Sequence, residues 1–356
     1  MATGPRAAPP GFSDHTFTST SGTELSVRVW PADPPVASPA PFLFLTHGGG
    51  FLGAHHFTPP PWVFPGFRAR GYHLVSHSYR LAPQARLDDQ LADSLEALAW
   101  SRANLPSILG SGMIDVDRYA LYGDSAGGLL ATLMGTHLTS PPPKAIVNVY
   151  GVVDIPSAKS ALDAQIPDAE RQPWKGEFTE EELEAFLSDR DPANILTAST
   201  AWREMDEVSD VELSKRWATD FKYTKRVRLQ SELHVWRSSH TKSVSLFITA
   251  AMHPEKFDDE AKLDAFIRSV SPLQVLRQRQ AEGRTEYPPT ALLHGTGDTA
   301  VPVQQSYDMA KALKEMGVPV IERYEEGEEH VFDLKYTVCF FPSCVCSKWM
   351  EADLRM

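Results

Sequence analysis

Apolar runs alternate with helical stretches along most of the chain, the pattern of a parallel sheet whose crossover helices cover both faces. The run Phe42-Leu43-Phe44-Leu45 predicts a buried strand that ends in a glycine cluster, and Tyr72 to Tyr79 predicts the next strand. Leu87, Leu91, Leu95 and Leu98 then recur every three or four residues and draw one apolar helix face. Tyr119 to Tyr122 is a short strand leading into Gly123-Asp124-Ser125-Ala126-Gly127-Gly128, and Ala126 to Met134 is apolar enough to be a helix buried on most sides. Ile146 to Tyr150, Ala291 to Leu293 and Val318 to Tyr324 predict three further strands. Between the last two, Val303, Tyr307, Ala310 and Leu313 mark a helix face that stops at Gly317, a C-cap glycine. Ahead of all these, His15 to Thr20 and Glu24 to Trp30 predict two strands around the Ser21-Gly22 turn, joined to the rest by the Pro/Ala-rich segment Pro31 to Pro41.

The alternation fails between about Asp154 and Pro288. This stretch is polar, carries Trp174, Trp202, Trp217 and Trp236, and reads as mainly helical, with Thr179 to Glu182 fitting a capping box. The expected organisation is an α/β core made of residues 1–153 and 289–356, with residues 154–288 inserted as a helical lid over one end of the sheet.

Composition narrows the partners. The 356 residues include 34 basic and 46 acidic ones, a net charge of −12, which argues against nucleic acid or an anionic membrane as the main partner. No apolar run approaches the roughly 18 residues of a membrane span, and Met1 to Phe12 has no apolar core of a secretory signal. Cys339, Cys344 and Cys346 crowd one end of the chain and do not make a disulfide framework. The expectation is a cytoplasmic protein that acts on a small molecule.

Gly123-Asp124-Ser125-Ala126-Gly127 is a G-x-S-x-G sequence between a strand and a helix. A serine on so sharp a turn has strained dihedrals, and only small residues two positions to either side avoid a clash. After the first long strand comes His47-Gly48-Gly49-Gly50-Phe51, whose bare backbone can approach a reacting centre closely. Acyl transfer develops an oxyanion that needs fixed N–H donors. Gly49, Gly50 and Ala126 are the candidates, with Gly48 a further one. A phosphate loop would need a lysine that this glycine run lacks. Ser125 also needs a base and a group to orient that base. Asp298 follows the Ala291–Leu293 strand and His330 follows the last strand, so both should emerge at the edge where Ser125 sits. His294 is read as structural, Asp154 as an alternative acid, and Asp333 as too close to His330 to orient it. His47, His55, His56, His73 and His77 lack metal-ligand spacing. Lys215, Arg216, Lys222, Lys225, Arg226 and Arg228 are read as a solvated helix face. Glu325, Glu326, Glu328 and Glu329 give the approach to His330 a strongly acidic character.

These residues together resemble the hormone-sensitive-lipase-like branch of the α/β-hydrolase fold. The likeness rests on His47 to Phe51, Tyr79-Arg80-Leu81-Ala82-Pro83, Gly123 to Gly128, His294-Gly295-Thr296-Gly297-Asp298 with Val301-Pro302, and Glu329-His330-Val331-Phe332. It implies a carboxylic-ester hydrolase working through an acyl-enzyme, with Ser125, Asp298 and His330 as triad and no cofactor or metal. A thioesterase or product-releasing hydrolase of a biosynthetic pathway is the alternative within enzymes. A non-catalytic ligand-binding relative is the alternative outside them, and the retained His330 counts against it.

Overall fold

The computed structural model describes residues 11–35, 39–157, 174–199, 224–240 and 245–336. Its strands are β1 (Ser13–Thr18), β2 (Glu24–Trp30), β3 (Ala40–Thr46), β4 (His73–His77), β5 (Ile114–Asp124), β6 (Ala145–Val149), β7 (Thr290–Gly295) and β8 (Val320–Glu325). They form one sheet in the order β1-β2-β4-β3-β5-β6-β7-β8, parallel from β4 to β8, with β2 running against both of its neighbours. The helices are α1 (Val63–Phe67), α2 (Leu87–Leu109), α3 (Ala126–His137), α4 (Glu180–Ser188), α5 (Lys225–His240), α6 (Ser245–Met252), α7 (Glu260–Ser269), α8 (Pro272–Ala281) and α9 (Gln304–Glu315).

The unbroken apolar runs follow from layers on both faces. Phe42 and Phe44 pack into one apolar cluster with Leu121, Leu129 and Leu292, while the intervening Leu43 and Leu45 pack into another with Trp30, Tyr122 and Leu293. β5 begins earlier than its apolar run, because Asp115 to Arg118 face partly to solvent and leave no hydrophobic signal. β8 starts two residues later than expected. The Val318 N–H closes the end of α9 on the Leu313 carbonyl, with Gly317 left-handed at φ 75°, so the turn claims that residue first.

The insertion lies between β6 and β7. Thr179 caps α4 as expected: its hydroxyl accepts the Glu182 N–H, and the Glu182 carboxylate accepts the Thr179 N–H. α8 packs against α3 and α9 and is tied to the core by the Leu273 N–H on the Val153 carbonyl, so it belongs to the layer flanking the sheet. Further back, the insertion meets the core through backbone bonds from Leu81 N–H to Leu196 O and from Ser199 N–H to Ala54 O, both 2.8 Å.

Candidate active site

Register brings the candidate segments together. Thr46 pairs with Gly123, Asp124 with Val149, Val149 with Leu293, and Gly295 with Glu325. The segments leaving β3, β5, β7 and β8 therefore emerge side by side along one sheet edge.

Ser125 sits at φ 50° and ψ −119°, directly before α3. A Cβ at Gly123 would strike the Gly127 carbonyl, and one at Gly127 would strike the Thr46 carbonyl, so both glycines are sterically required. The Ser125 N–H donates to the Val149 carbonyl at 2.9 Å, which pins the turn to β6.

The three separated residues meet. His330 Nε2 lies 3.0 Å from Ser125 Oγ, and His330 Nδ1 lies 2.6 Å from Asp298 Oδ2. A carboxylate can only accept, so Nδ1 carries the proton and Nε2 is left to receive one from the serine. The Asp298 side chain is fully buried, whereas 18% of His330 is exposed. Burial alone would raise the Asp298 carboxyl, yet the neighbouring His330 and His294 hold it well below the usual carboxylate range. The Ala300 and Val301 N–H groups donate to its other oxygen.

Asp154 is engaged elsewhere. It accepts Gln274 Nε2 at 2.8 Å, while its own N–H goes to Gln305 Oε1. Asp333 is fully buried and receives Trp62 Nε1–H at 2.8 Å and the Tyr150 hydroxyl at 2.5 Å. Tyr150, at φ 42°, places its ring 4.6 Å from that of His330. Asp333 thus ties the His330 loop to the start of α1 and to the segment after β6, a role its sequence position does not advertise. The acidic approach is partly neutralised: Glu328 pairs with Lys335, Glu325 with Arg323, and Glu329 accepts the N–H and hydroxyl of Thr299.

The glycine segment after β3 is held from below. Gly49 has φ 102°, and a Cβ there would strike the Gly53 carbonyl. Among the described residues no backbone carbonyl takes the N–H of Gly49, Gly50 or Ala126. Gly48 lies against the Asp124 carboxylate, which a Cβ there would strike. Desolvation, with Asp333 nearby, pushes Asp124 up to about 7. The His47 ring stacks on Tyr79 at 4.3 Å, and the Tyr79 hydroxyl donates to the His47 carbonyl. Arg80 in turn is clamped by the buried Asp93. The Tyr79–Pro83 motif is a support for the glycine segment.

Of the other histidines in that group, His77 bonds with Thr46, His73 with the Ala32 N–H, and His55 with the Phe57 N–H. The described part of the basic run is more than a solvated face. Lys225 meets Glu182, Arg226 meets Asp189, and Arg228 meets Glu177, joining α5 to α4 and its flanks. Lys215, Arg216, Lys222, Trp202, Trp217 and the three cysteines lie outside the described residues.

The sequence matches a family described as the alpha/beta hydrolase fold over residues 43–212 and the prolyl oligopeptidase family over residues 227–337. A non-reducing polyketide synthase of Stachybotrys bisbyi is 26% identical over 325 residues, covering 89% of this chain but only 13% of the synthase. Ethyl acetate hydrolase of Pseudomonas putida is 31% identical over 176 residues, 47% of this chain and 54% of that protein. Among solved structures, a bacterial heroin esterase superposes with a TM-score of 0.55 at 19% identity, over 97% of this chain and 84% of that one. At that identity the likeness is one of fold.

Proposed function

We propose that this chain, which has the α/β-hydrolase fold and resembles its hormone-sensitive-lipase-like branch, hydrolyses a carboxylic ester or thioester through an acyl-enzyme on Ser125. The observation that carries the reading is the unbroken line from Ser125 Oγ through His330 to Asp298, at 3.0 and 2.6 Å. Ser125 Oγ attacks the acyl carbon as His330 Nε2 takes its proton. The oxyanion gathers at Gly49, Gly50 and Ala126, whose N–H groups point from a glycine turn and a helix N-terminus. Collapse expels the alcohol or thiol, which leaves with the proton held by His330. Water then attacks the acyl-serine, His330 takes the water's proton and returns it to Ser125, and the free acid departs. No step calls for a cofactor.

The extent of the alignments favours a product-releasing role. Likeness to the esterase covers 47% of the chain, whereas likeness to the polyketide synthase covers 89% and so includes much of the insertion. The insertion, acting as a lid over the Ser125 edge, is then shaped for a bulky polyketide-type acyl group, presented as ester or thioester. A p-nitrophenyl ester chain-length series, run beside N-acetylcysteamine thioesters of aromatic acids, tests this. Preference for the aromatic thioesters over p-nitrophenyl acetate is expected, and fastest turnover of acetate would favour a general short-chain esterase. Labelling by a fluorophosphonate probe should fall on Ser125 and vanish in Ser125→Ala; labelling of another serine would overturn the nucleophile.

A further inference from the structure

Asp298 is approached by two imidazoles. His294, fully buried at the end of β7, places Nε2 2.8 Å from the Val301 carbonyl and 3.2 Å from Asp298 Oδ2. Its Nδ1 lies 2.8 Å from Ser306 Oγ on α9. A carbonyl can only accept, so Nε2 bears hydrogen, and Nδ1 is served by the serine hydroxyl. The one Nε2–H is therefore shared between Val301 and the carboxylate oxygen that also receives His330 Nδ1–H.

We infer that His294 is a positioning residue for Asp298: its fixed N–H helps aim the carboxylate at His330 and keeps that carboxylate from drawing the proton off the base. The inference rests on the Ser125–His330–Asp298 reading above and adds a fourth participant to it. Backbone geometry alone does not fix Oδ2. The Ala300 and Val301 N–H groups hold Oδ1, and a carboxyl gripped at one oxygen can still pivot about it. His294 supplies the second grip, and Ser306 prevents its ring from turning. The other titratable groups around this cluster are His330, Tyr150, Glu329 at Thr299, and the buried Asp124 and Asp333.

Removing the donor has a signed consequence. With one N–H fewer, Asp298 holds more charge toward His330, the base keeps its proton to higher pH, and the acidic limb moves upward. One charge-assisted hydrogen bond corresponds to about a tenfold change in rate. The measurement is the pH profile of inactivation by a fluorophosphonate probe, which needs no knowledge of the natural substrate. His294→Leu should lower the plateau about tenfold and move the acidic limb up by about one pH unit, while His294→Gln, which keeps an N–H near Nε2, should restore both. Should the leucine variant fail to fold, His294→Asn, too short to reach Oδ2, takes its place against glutamine. A folded His294→Leu or His294→Asn with the wild-type plateau and limb, or a glutamine variant no better than either, overturns the inference and leaves His294 a packing residue. If the wild-type protein is not labelled on Ser125, the triad reading fails first and carries the inference down with it.

Discussion

At φ 50° and ψ −119° the Ser125 backbone occupies a region that glycine enters freely and other residues enter at about 1–3 kcal/mol. Replacing the serine by glycine releases that strain but adds roughly 0.5–1 kcal/mol of chain entropy, so relief wins. Ser125→Gly should be more stable than Ser125→Ala by about 1 kcal/mol in denaturant unfolding. Equal midpoints would mean that the turn relaxes around the alanine. Ser125, His330 and Asp298 were legible because each sits in a motif at a strand's end, where topology alone delivers it to the shared edge. The contacts of His294 and Asp333 were not. Trp62 meets Asp333 across 271 residues, and no local spacing encodes such a bond.

Among elements, the strands of the sheet's middle were readable because layers on both faces demand unbroken apolar runs, while β5's polar first half left no such signal. The insertion was readable only as helical. Its joints with the core are backbone bonds and side-chain hydrogen bonds, such as Gln84 Nε2–H on the Asp189 carbonyl, whose partners lie far apart in sequence. Arg226 shows the consequence: it donates to Asp189 and to the Asn194 carbonyl, and so braces the segment whose Leu196 and Ser199 are bonded to Leu81 and Ala54. The pair is only 24% and 20% exposed, so screening weakens it less than a surface bridge. Arg226→Met should cost about 1–2 kcal/mol. It should also raise KM for long or aromatic acyl esters more than for p-nitrophenyl acetate, as read by thermal melting and the ester series. An equal effect on all esters would separate this brace from substrate choice.

For the molecule as a whole, buried ionisable groups pull in opposite directions with pH. Burial pushes His47 down to about 3 and His77 to about 4, and lowers His56 well below its ordinary value. These rings are neutral when folded but take protons when unfolded, so they subtract stability as pH falls below about 6.5. Asp124, pushed up to about 7, acts the other way and gains on acidification from about 7 toward 4. Three histidines outweigh one aspartate by a few kcal/mol near pH 5, at about 1.4 kcal/mol per pH unit for each group. The melting temperature should therefore drop between pH 7 and pH 5, and drop more steeply in Asp124→Asn, which lacks the compensation. A flat profile in both proteins would show that the histidines become hydrated before the fold gives way.

His330, the proposed base, follows the last described strand. All eight described strands precede His330, and side chains help fasten its segment to the core: Asp298 on His330, and Trp62 and Tyr150 on Asp333, beside the Gly297 N–H on the Glu328 carbonyl. A segment fastened in this way opens locally at a lower free energy than the sheet beneath it. Two temperatures should then describe the protein, one at which turnover ceases reversibly and a higher one at which the sheet melts. Weakening the Asp333 fastening with Asp333→Asn should widen the interval from below. Heat would silence the enzyme by unlatching His330, several degrees before it unfolded the sheet.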